Sequence, residues 1–484
     1  MAPQARRSIA LVAALAAVRL ALTALVLRLG LSAISDDDYA RVTIAQAFAA
    51  SPRLDPSGTS WLPLPFWITG ACMAIFSDSL STARAVAFAL AAAATGGLFL
   101  AVRASGSSRR AAFAAAVASA LMPVSALTGA ATVPELPTAV LCASALLLLR
   151  RTDRRALLAA AACVLPATLS RYESWPVAGV VAATAWIGRR KRDDGPPLRL
   201  ADRVTASLVA LAGVAGWLAW NRFAHGEALH FHGRVSAFWV ASGHAREEAL
   251  LQLLSGYPWT AVAGVPVLST LVLGAVWVAP HRAVLATWAR PVAGAVVVVA
   301  ALTAMQATGG APTHHPERTL MLVWMVAWAL CMDLFERSGA LDRFRLGAVA
   351  AAGIVVTLLL QQTIASVQDA RNTQADRGAE TRVGAWIRAH APAATVLIDP
   401  VDYGYFAIIA AAGSPARFAL SHSIDPRAAP SASPLLDETA LRHRIAQTGS
   451  TLLVVRGDRM GAAEIVGSRE ANESGWAILR VRAP

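Results

Sequence analysis

Long apolar runs recur along most of this chain, and they constrain its fold more than any other feature. A helix needs roughly 20 predominantly apolar residues to cross a bilayer core. By this criterion we predict about eleven membrane spans, at 8–31, 81–102, 111–128, 134–149, 156–170, 176–188, 204–221, 259–280, 291–308, 319–335 and 346–365. With 56% hydrophobic and 15% charged residues, the chain is too apolar for an ordinary soluble protein. The sequence therefore predicts an all-α polytopic membrane domain.

The basic residues fall mostly in short clusters between these runs. If the N-terminus is cytoplasmic, the inner loops contain Arg103/Arg109/Arg110, Arg150/Arg151/Arg154/Arg155, Arg189/Arg190/Lys191/Arg192/Arg199/Arg203, His281/Arg282/Arg290 and Arg337/Arg343/Arg345. Every inner loop is then basic, as the positive-inside rule expects. We therefore attribute the net charge of +13 to membrane topology rather than to nucleic-acid binding, and we predict a cytoplasmic N-terminus.

The same span count places the unusual polar residues together on the outer face. They are the triplet Asp36-Asp37-Asp38 with Tyr39, Trp61 in a Trp/Pro-rich segment, Glu135, Arg171 and Glu173, and His315 with Glu317 and Arg318. The triplet and Trp61 belong to a long first outer loop, 32–81. Because the spans were assigned from hydrophobicity alone, this convergence is independent support for one polar site on the outer face.

The composition changes after about residue 372. Residues 1–372 contain all the predicted spans, whereas 373–484 alternate between helical and strand patterns, which favours a small α/β domain. We predict helices at 379–390, 403–412 and 434–447, and strands at 395–398, 451–455 and 476–481. This domain follows the last span, so the topology places it outside the cytoplasm.

Three consecutive carboxylates beside a membrane have several possible uses. They can supply a general base, bind a divalent cation through oxygen ligands, or pair with arginines. The alternative for Asp36, Asp37 and Asp38 is a solvated helix end with no chemical role.

The other outer polar residues have open roles as well. Glu135 is either functional or a structural partner of a cation, and Arg171 with Glu173 can form a simple ion pair at an interfacial turn. Arg318 can hold a phosphate with its planar guanidinium, or it can extend along the membrane interface. His315 and the adjacent His314 have no third ligand at a suggestive spacing, so they do not predict a metal site.

These residues resemble motifs of the GT-C superfamily of polytopic glycosyltransferases, such as protein O-mannosyltransferases and aminoarabinose transferases of lipid A. In that superfamily an acidic pair followed closely by a tyrosine opens the first outer loop, as Asp36-Asp37-Asp38-Tyr39 does in this chain. The segments around Trp61, Arg171-Tyr172-Glu173 and Glu317-Arg318 also look like family features. Two departures are Asp-Asp where many relatives have Asp-Glu, and Thr319 where a tyrosine usually follows the arginine.

The resemblance implies an enzyme that moves a sugar from a polyprenyl-phosphate carrier to a lipid, glycan or protein acceptor, with inversion at the anomeric carbon. Asp36 or Asp37 would be the catalytic base. The expected substrate contacts are Asp38, Tyr39, Trp61, Glu135, Arg171, Glu173, His315 and Arg318. A divalent cation, Mg²⁺ or Mn²⁺, stays open, with the triplet as its only candidate ligands. The Ala/Arg-rich composition fits a bacterial source, and hence the cytoplasmic (inner) membrane.

Two other classes of function compete with this interpretation. A transporter or lipid flippase would also be polytopic, but it would show ionisable residues near the midplane and repeat symmetry between halves. A non-catalytic envelope scaffold would use the acidic cluster only to bind a partner or cation. The gathering of charge at one surface favours the transferase.

Overall fold

We describe the protein from a computed structural model. The residues it describes are 3–58, 60–151, 153–187, 198–243, 250–263, 282–308, 315–337, 345–374, 376–428 and 432–482. His314 and most of the predicted span 259–280 lie outside these ranges.

Among the described residues before 374, the regular secondary structure is helical. Its helices are α1 (Pro3–Arg28), α2 (Asp37–Ala50), α3 (Leu64–Ile75), α4 (Leu80–Ala104), α5 (Arg109–Leu121), α6 (Pro123–Thr128), α7 (Glu135–Leu148), α8 (Arg154–Thr168), α9 (Ser174–Trp186), α10 (Leu200–His225), α11 (His230–Ala241), α12 (Leu250–Ser255), α13 (Tyr257–Ala263), α14 (Arg282–Ala307), α15 (Pro316–Arg337) and α16 (Arg345–Thr373). Within the described ranges, five helical segments are long and apolar enough to cross a membrane: Arg6–Arg28, Leu80–Ala104, Leu200–His225, Ala286–Ala307 and Pro316–Arg337. The total of eleven spans stays a prediction.

Two predicted features of this part differ from the structure. The predicted span 111–128 is divided into α5 and α6, because Pro123 cannot donate a backbone hydrogen bond and Met122 before it is extended. The first outer loop, 32–81, is largely helical, since it contains α2 and α3. The α2 helix begins inside the aspartate triplet, so the register of its first turn decides where each carboxylate points.

Arg19 is buried in the middle of α1 without a carboxylate partner among the described residues. Its guanidinium donates to Thr95 Oγ1 on α4 at 3.1 Å, and to Ser125 O and Oγ on α6 at 2.8 Å each. Because three polar contacts satisfy its donors, Arg19 acts as a structural link between three helices.

A second buried polar cluster lies where α7 ends, at the opposite end of this helix from Glu135. Arg150 pairs with Asp333 of α15 at 2.9 Å and lies 4.0 Å from the centre of the Trp288 ring. The same Asp333 oxygen accepts hydrogen bonds from Trp288 Nε1 at 3.0 Å and from Arg337 Nε at 3.1 Å. These contacts join α7, α14 and α15 at one end of α7. Glu135 lies at the other end of α7, where the predicted polar site would form.

The C-terminal region forms a five-stranded mixed sheet with helices. Its elements are α17 (Gly378–His390), β1 (Val396–Ile398), α18 (Tyr405–Ala412), β2 (Phe418–Leu420), α19 (Glu438–Thr448), β3 (Leu452–Arg456), α20 (Ala463–Val466), β4 (Gly467–Glu473) and β5 (Trp476–Val481). The strand order is β2-β1-β3-β5-β4, with β2, β1 and β3 parallel and with β5 antiparallel to both β3 and β4. The sequence did not predict β2, β4 or α20. The division into domains at residues 372 and 373 stays a prediction.

The C-terminal region packs directly on the first outer loop. Tyr39 and Val42 of α2 share a buried apolar cluster with Ala407 and Ala410 of α18. Gln46 Nε2 donates to the backbone oxygens of Asp78 at 2.9 Å and of Ala410 at 2.8 Å. The Asp78 carboxylate in turn accepts from Arg388 and Ser414 at 3.2 Å. The loop therefore lies between the helices and the sheet.

Replacing Gln46 by leucine should weaken this contact. The change keeps the size of the side chain but leaves two carbonyls without their donor, at a cost of about 1 to 3 kcal/mol. We expect a lower thermal midpoint and faster amide exchange in α18. Gln447→Leu is the matched control, because Gln447 is exposed and bonds only to His443 among the described residues. Equal behaviour of the two variants would contradict the role assigned to Gln46.

Candidate active site

The side chains of the three aspartates in the triplet point in three different directions. Asp38 is buried, and its carboxylate accepts hydrogen bonds from the backbone of Ile34 at 3.0 Å, Ser35 at 3.3 Å and Thr132 at 2.7 Å, and from the Thr132 hydroxyl at 3.0 Å. Desolvation raises the pKa of Asp38, and the hydrogen bonds from Ile34 and Thr132 oppose that rise. Asp38 is thus a structural link between α2 and the segment before α7.

Asp36 forms a two-pronged ion pair with Arg377, which lies just before α17. The two carboxylate oxygens accept from Arg377 Nε and Nη2 at 2.8 Å each. Arg377 also pairs with Asp402 at 3.0 Å and with Glu380 at 3.5 Å. Asp36 therefore ties the first outer loop to the C-terminal region, with both of its oxygens engaged.

Asp37 is the most exposed aspartate of the triplet. It lies in the first turn of α2 and faces a cavity, so its own surface is exposed while protein surrounds the cavity. This restricted hydration raises the pKa of Asp37, and the positive charge of Arg41 opposes the rise, whereas Glu135 adds to it. A carboxylate with a raised pKa in a cleft has the properties of a general base.

Arg41 is a site residue that the sequence analysis missed. It lies one turn after Asp37 on α2, and its guanidinium carbon is 4.4 Å from the centre of the Trp61 ring and 5.8 Å from that of Phe66. Burial lowers the pKa of Arg41, and Glu135 and Asp37 oppose that effect. The spacing of four residues from Asp37 places both on one helix face and was a usable signal.

Replacing Arg41 by glutamine should move the pH dependence of catalysis. If Asp37 is the catalytic base, activity requires its ionised form and falls as the pH decreases through the pKa of this carboxylate. Arg41 favours the ionised form, and its loss should raise the pKa of Asp37 further. We expect the acid limb of log kcat/KM against pH to shift to higher pH. Arg154→Gln, at an ion pair with Asp202 outside the site, should leave the limb in place. An unmoved limb in Arg41→Gln would show that Asp37 is not the titrating group.

Glu135, Arg171 and Glu173 form one ionic cluster. Glu135, in the first turn of α7, accepts from Arg171 Nη1 at 2.7 Å, and Glu173 accepts from Arg171 Nε. The two carboxylates raise the pKa of Arg171 even though burial acts in the opposite direction. Arg171 is therefore paired with two carboxylates, as the ion-pair interpretation predicted. Because Glu135, Arg171 and Glu173 also line the cavity that Asp37 faces, the interpretation as part of a polar site applies as well.

Arg318 and His315 lie at the start of α15. Arg318 Nη2 donates to the backbone oxygen of Ile34 at 3.1 Å, the only hydrogen bond of this side chain among the described residues. His315 Nδ1 lies 3.3 Å from Glu317 Oε1. The remaining guanidinium donors of Arg318 lie beside open space, where they can bind an anionic ligand.

These residues surround a cavity of 440 Å³, which we call the central cavity. Its polar and aromatic lining includes Asp37, Arg41, Trp61, Glu135, Arg171, Tyr172, Glu173, Tyr257, His315 and Arg318. Seven of the ten predicted site residues thus converge, namely Asp37, Trp61, Glu135, Arg171, Glu173, His315 and Arg318. The site assignment as a whole stays a prediction, but these side chains share one space.

Two further cavities adjoin the central one. A cavity of 440 Å³, the helix-side cavity, is lined by α6, α15 and α16 and shares His315 and Arg318 with the central cavity. A cavity of 490 Å³, the sheet-side cavity, lies between α2, α11 and the C-terminal region and shares Asp37 and Trp61 with it. Arg318 therefore lies where the central cavity adjoins the helix-side cavity, and Asp37 lies where it adjoins the sheet-side cavity.

The other three predicted site residues lie elsewhere. Asp36 lines the sheet-side cavity while paired with Arg377. Asp38 and Tyr39 line none of the three cavities, because Asp38 is held by amide groups and Tyr39 packs against α18. Arg377 was missed as well, and it is 341 residues away from Asp36 in the chain, so no local pattern could have revealed it.

The triplet does not form a metal-binding cage in this arrangement. Cation sites of the Mg²⁺ or Mn²⁺ type need several oxygen ligands directed at one point. Asp36 and Asp38 are directed to Arg377 and to backbone amides, away from Asp37. In the described part of the chain, no three His, Cys, Asp or Glu side chains are grouped so that they could hold a metal ion.

The described part of the chain is thus a helical bundle with a polar cavity at one end and an attached mixed sheet, and five of its helices are long and apolar enough to cross a membrane. Residues 56–220 match the family described as dolichyl-phosphate-mannose-protein mannosyltransferase, about a third of the chain. A search of curated protein sequences finds no match.

Solved structures with a similar fold extend this comparison to the whole chain. ArnT from Cupriavidus metallidurans, bound to undecaprenyl phosphate, matches with a TM-score of 0.59 and 15% identity, covering 97% of both chains. The archaeal oligosaccharyltransferase AglB from Archaeoglobus fulgidus, in complex with an inhibitory peptide and a dolichol-phosphate, matches with a TM-score of 0.52 and 13% identity over 96% of this chain and 71% of its own.

The arabinofuranosyltransferase AftD from Mycobacteria gives a TM-score of 0.51 and 17% identity, over 98% of this chain but only 40% of its own. All three structures are membrane glycosyltransferases with the GT-C fold. The predicted resemblance is confirmed, and the chain has the fold of GT-C membrane glycosyltransferases.

Proposed function

We propose that this protein transfers a sugar from a polyprenyl-phosphate carrier to an acceptor at the outer face of a bacterial cytoplasmic membrane. The observation that carries the proposal is that an exposed carboxylate, Asp37, and an arginine, Arg318, line one cavity, each where this cavity adjoins a different neighbouring one. A base and a phosphate-binding cation on either side of a sugar are the groups that this reaction needs.

The donor would approach from the helix-side cavity. Met122, Val124, Leu127 and Trp324 give this cavity an apolar side, and Arg318 lies where it meets the central cavity. A prenyl chain would lie against the apolar side, with its phosphate at Arg318 and its sugar in the central cavity. Relatives of this fold bound to undecaprenyl phosphate and to dolichol-phosphate support this assignment.

The transfer is a single displacement in this proposal. Asp37 removes the proton of the acceptor hydroxyl while its oxygen attacks the anomeric carbon from the face opposite the phosphate. The bond between the anomeric carbon and the phosphate oxygen breaks, and its electron pair leaves with the phosphate, whose charge Arg318 stabilises. The other cavity carboxylates, Glu135 and Glu173, are both engaged by Arg171, which leaves Asp37 as the base and predicts inversion.

Purified protein in lipid nanodiscs, supplied with labelled sugars on polyprenyl phosphate, tests this proposal. Release or transfer of sugar from these donors, with none from nucleotide sugars, is the expected result, and NMR of the product should show the inverted anomer. Parallel reactions with chelator report on metal dependence. Turnover of nucleotide sugars alone would overturn the donor assignment. Carrier movement across vesicles without sugar release would favour the transporter instead.

A further inference from the structure

The sheet-side cavity has a lining that the donor does not use. Aromatic rings from three parts of the chain face it: Trp61 from the first outer loop, Phe238 and Trp239 from α11, and Tyr403, Tyr405 and Phe406 from the C-terminal region. The centres of the Tyr405 and Phe406 rings are 4.2 Å apart, and the Tyr403 and Phe406 rings are stacked with their centres 6.4 Å apart. A volume of 490 Å³ lies within the roughly 300 to 1,000 Å³ of small-molecule sites.

Two of the charged residues that line this cavity are paired with each other. Asp425 and Arg427 form two hydrogen bonds of 2.9 and 2.6 Å, and these bonds lower the pKa of Asp425 to about 2. The Arg427 guanidinium also lies 5.6 Å from the centre of the Phe238 ring. Asp36 is paired with Arg377, as described above. Asp37 and Arg234 also line the cavity, so it presents aromatic faces and hydrogen-bonding groups together with charges of both signs rather than of one sign.

The segment that follows a parallel strand of the sheet, at its carboxyl end, lines the same cavity. In open α/β sheets, ligands bind outside the carboxyl ends of the parallel strands. The segment after β2, from Ser421 to Arg427, follows such an end, and Ser423, Ile424, Asp425 and Arg427 line the cavity. Asp399, directly after β1, fixes this segment by accepting a hydrogen bond of 2.7 Å from Ser421.

We propose that the sheet-side cavity binds the acceptor, and that this acceptor is an uncharged carbohydrate. The C–H faces of sugar rings carry partial positive charge and stack on the negative faces of aromatic rings, while their hydroxyls bond to the polar groups between the rings. The inference rests on the proposed transferase function. Asp37 borders both cavities, so an acceptor hydroxyl at this boundary lies between the base and the donor sugar.

This placement gives the C-terminal region a defined role in the reaction. The acceptor oxygen forms the new bond to the anomeric carbon, its proton passes to Asp37, and the carrier phosphate leaves on the far side. The aromatic residues from α11 and the C-terminal region then determine which acceptor is used. A peptide acceptor or a strongly anionic one is the competing outcome.

Saturation-transfer NMR on the full-length protein in nanodiscs tests the inference directly. The probes are methyl α-D-mannopyranoside, methyl β-D-galactopyranoside and mannotriose, with glucose 6-phosphate and a serine-containing peptide as the charged and peptide alternatives. We expect saturation of the uncharged sugars and a dissociation constant about tenfold higher in Trp239→Ala and Tyr403→Ala. Trp239→Phe, which keeps an aromatic ring, should retain binding.

Trp186→Ala is the matched control, because Trp186 is exposed at the end of α9 and lines none of the cavities. Absence of binding by the uncharged sugars, or binding that Trp239→Ala does not weaken, overturns the inference, and so does preferential binding of the peptide or phosphate probe. Donor hydrolysis by the same preparation separates the two proposals. Hydrolysis without sugar binding contradicts only the acceptor, whereas sugar binding without any donor turnover contradicts the transferase.

Discussion

Asp37→Asn should reduce sugar transfer by about 10² to 10⁴-fold, the usual contribution of a positioned general base. Asparagine has nearly the same shape but cannot accept the acceptor proton. Within the described residues, the Asp37 carboxylate makes no hydrogen bond that would stabilise the fold. It faces the central cavity. The loss should therefore appear in kcat, measured with labelled donor, while the thermal midpoint stays close to that of the wild type.

The neighbouring aspartates provide the controls for this experiment. Asp38→Asn should lower the thermal midpoint, because an amide nitrogen cannot accept the hydrogen bonds that the carboxylate accepts from Ile34 and Thr132. Asp36→Asn should loosen the contact with Arg377 while keeping measurable transfer. If Asp36→Asn abolished transfer and Asp37→Asn did not, the base would have to be reassigned to Asp36.

Arg318→Gln should lower kcat/KM by about 10² to 10³-fold. This is the usual effect of removing one hydrogen-bond donor that stabilises a developing negative charge, here the charge of the leaving phosphate. Arg318→Lys should recover part of this loss, because an ammonium supplies charge but not the two-pronged geometry of a guanidinium. The effect should be larger in kcat/KM than in thermal stability, since the only hydrogen bond of the Arg318 side chain within the described residues goes to the backbone of Ile34.

Arg371→Gln is the matched control for Arg318→Gln. Arg371 also donates to a single backbone oxygen, that of Leu29 at 3.1 Å, but it is outside the central cavity. We expect its replacement to leave donor turnover unchanged. Equal losses of donor turnover in the two variants would mean that the lost hydrogen bond to a backbone oxygen, rather than a lost contact with the phosphate, accounts for the effect.

The sequence predicted the convergence of the site better than the role of each residue in it. The positive-inside rule assigned Glu135, Arg171 and Arg318 to one face, and hydrophobicity placed helices at most of the predicted spans that the structure describes. The division of labour within the triplet could not be predicted, because it depends on where α2 begins and on Arg377, a partner 341 residues away. No pattern in the triplet itself distinguishes three adjacent carboxylates.

The strands show a similar limit. The buried strands β3 and β5 were predicted from their apolar runs, whereas β2 has only three residues, all half-buried, and β4 is a polar edge strand with little hydrophobic pattern. The aromatic lining of the sheet-side cavity comes from three distant segments. Only the folded chain brings Trp61, Trp239 and Tyr403 to one space.

The ion pair between Asp36 and Arg377 has a consequence for how the protein is made. Synthesis proceeds from the N-terminus, so the aspartate triplet enters the membrane environment long before residue 377 leaves the ribosome. Until Arg377 arrives, Asp36 lacks its partner and the first outer loop lacks the surface on which it packs. The first outer loop therefore gains its final contacts only after the C-terminal region has been made, and we expect fragments that end before residue 377 to lack the proposed transfer activity.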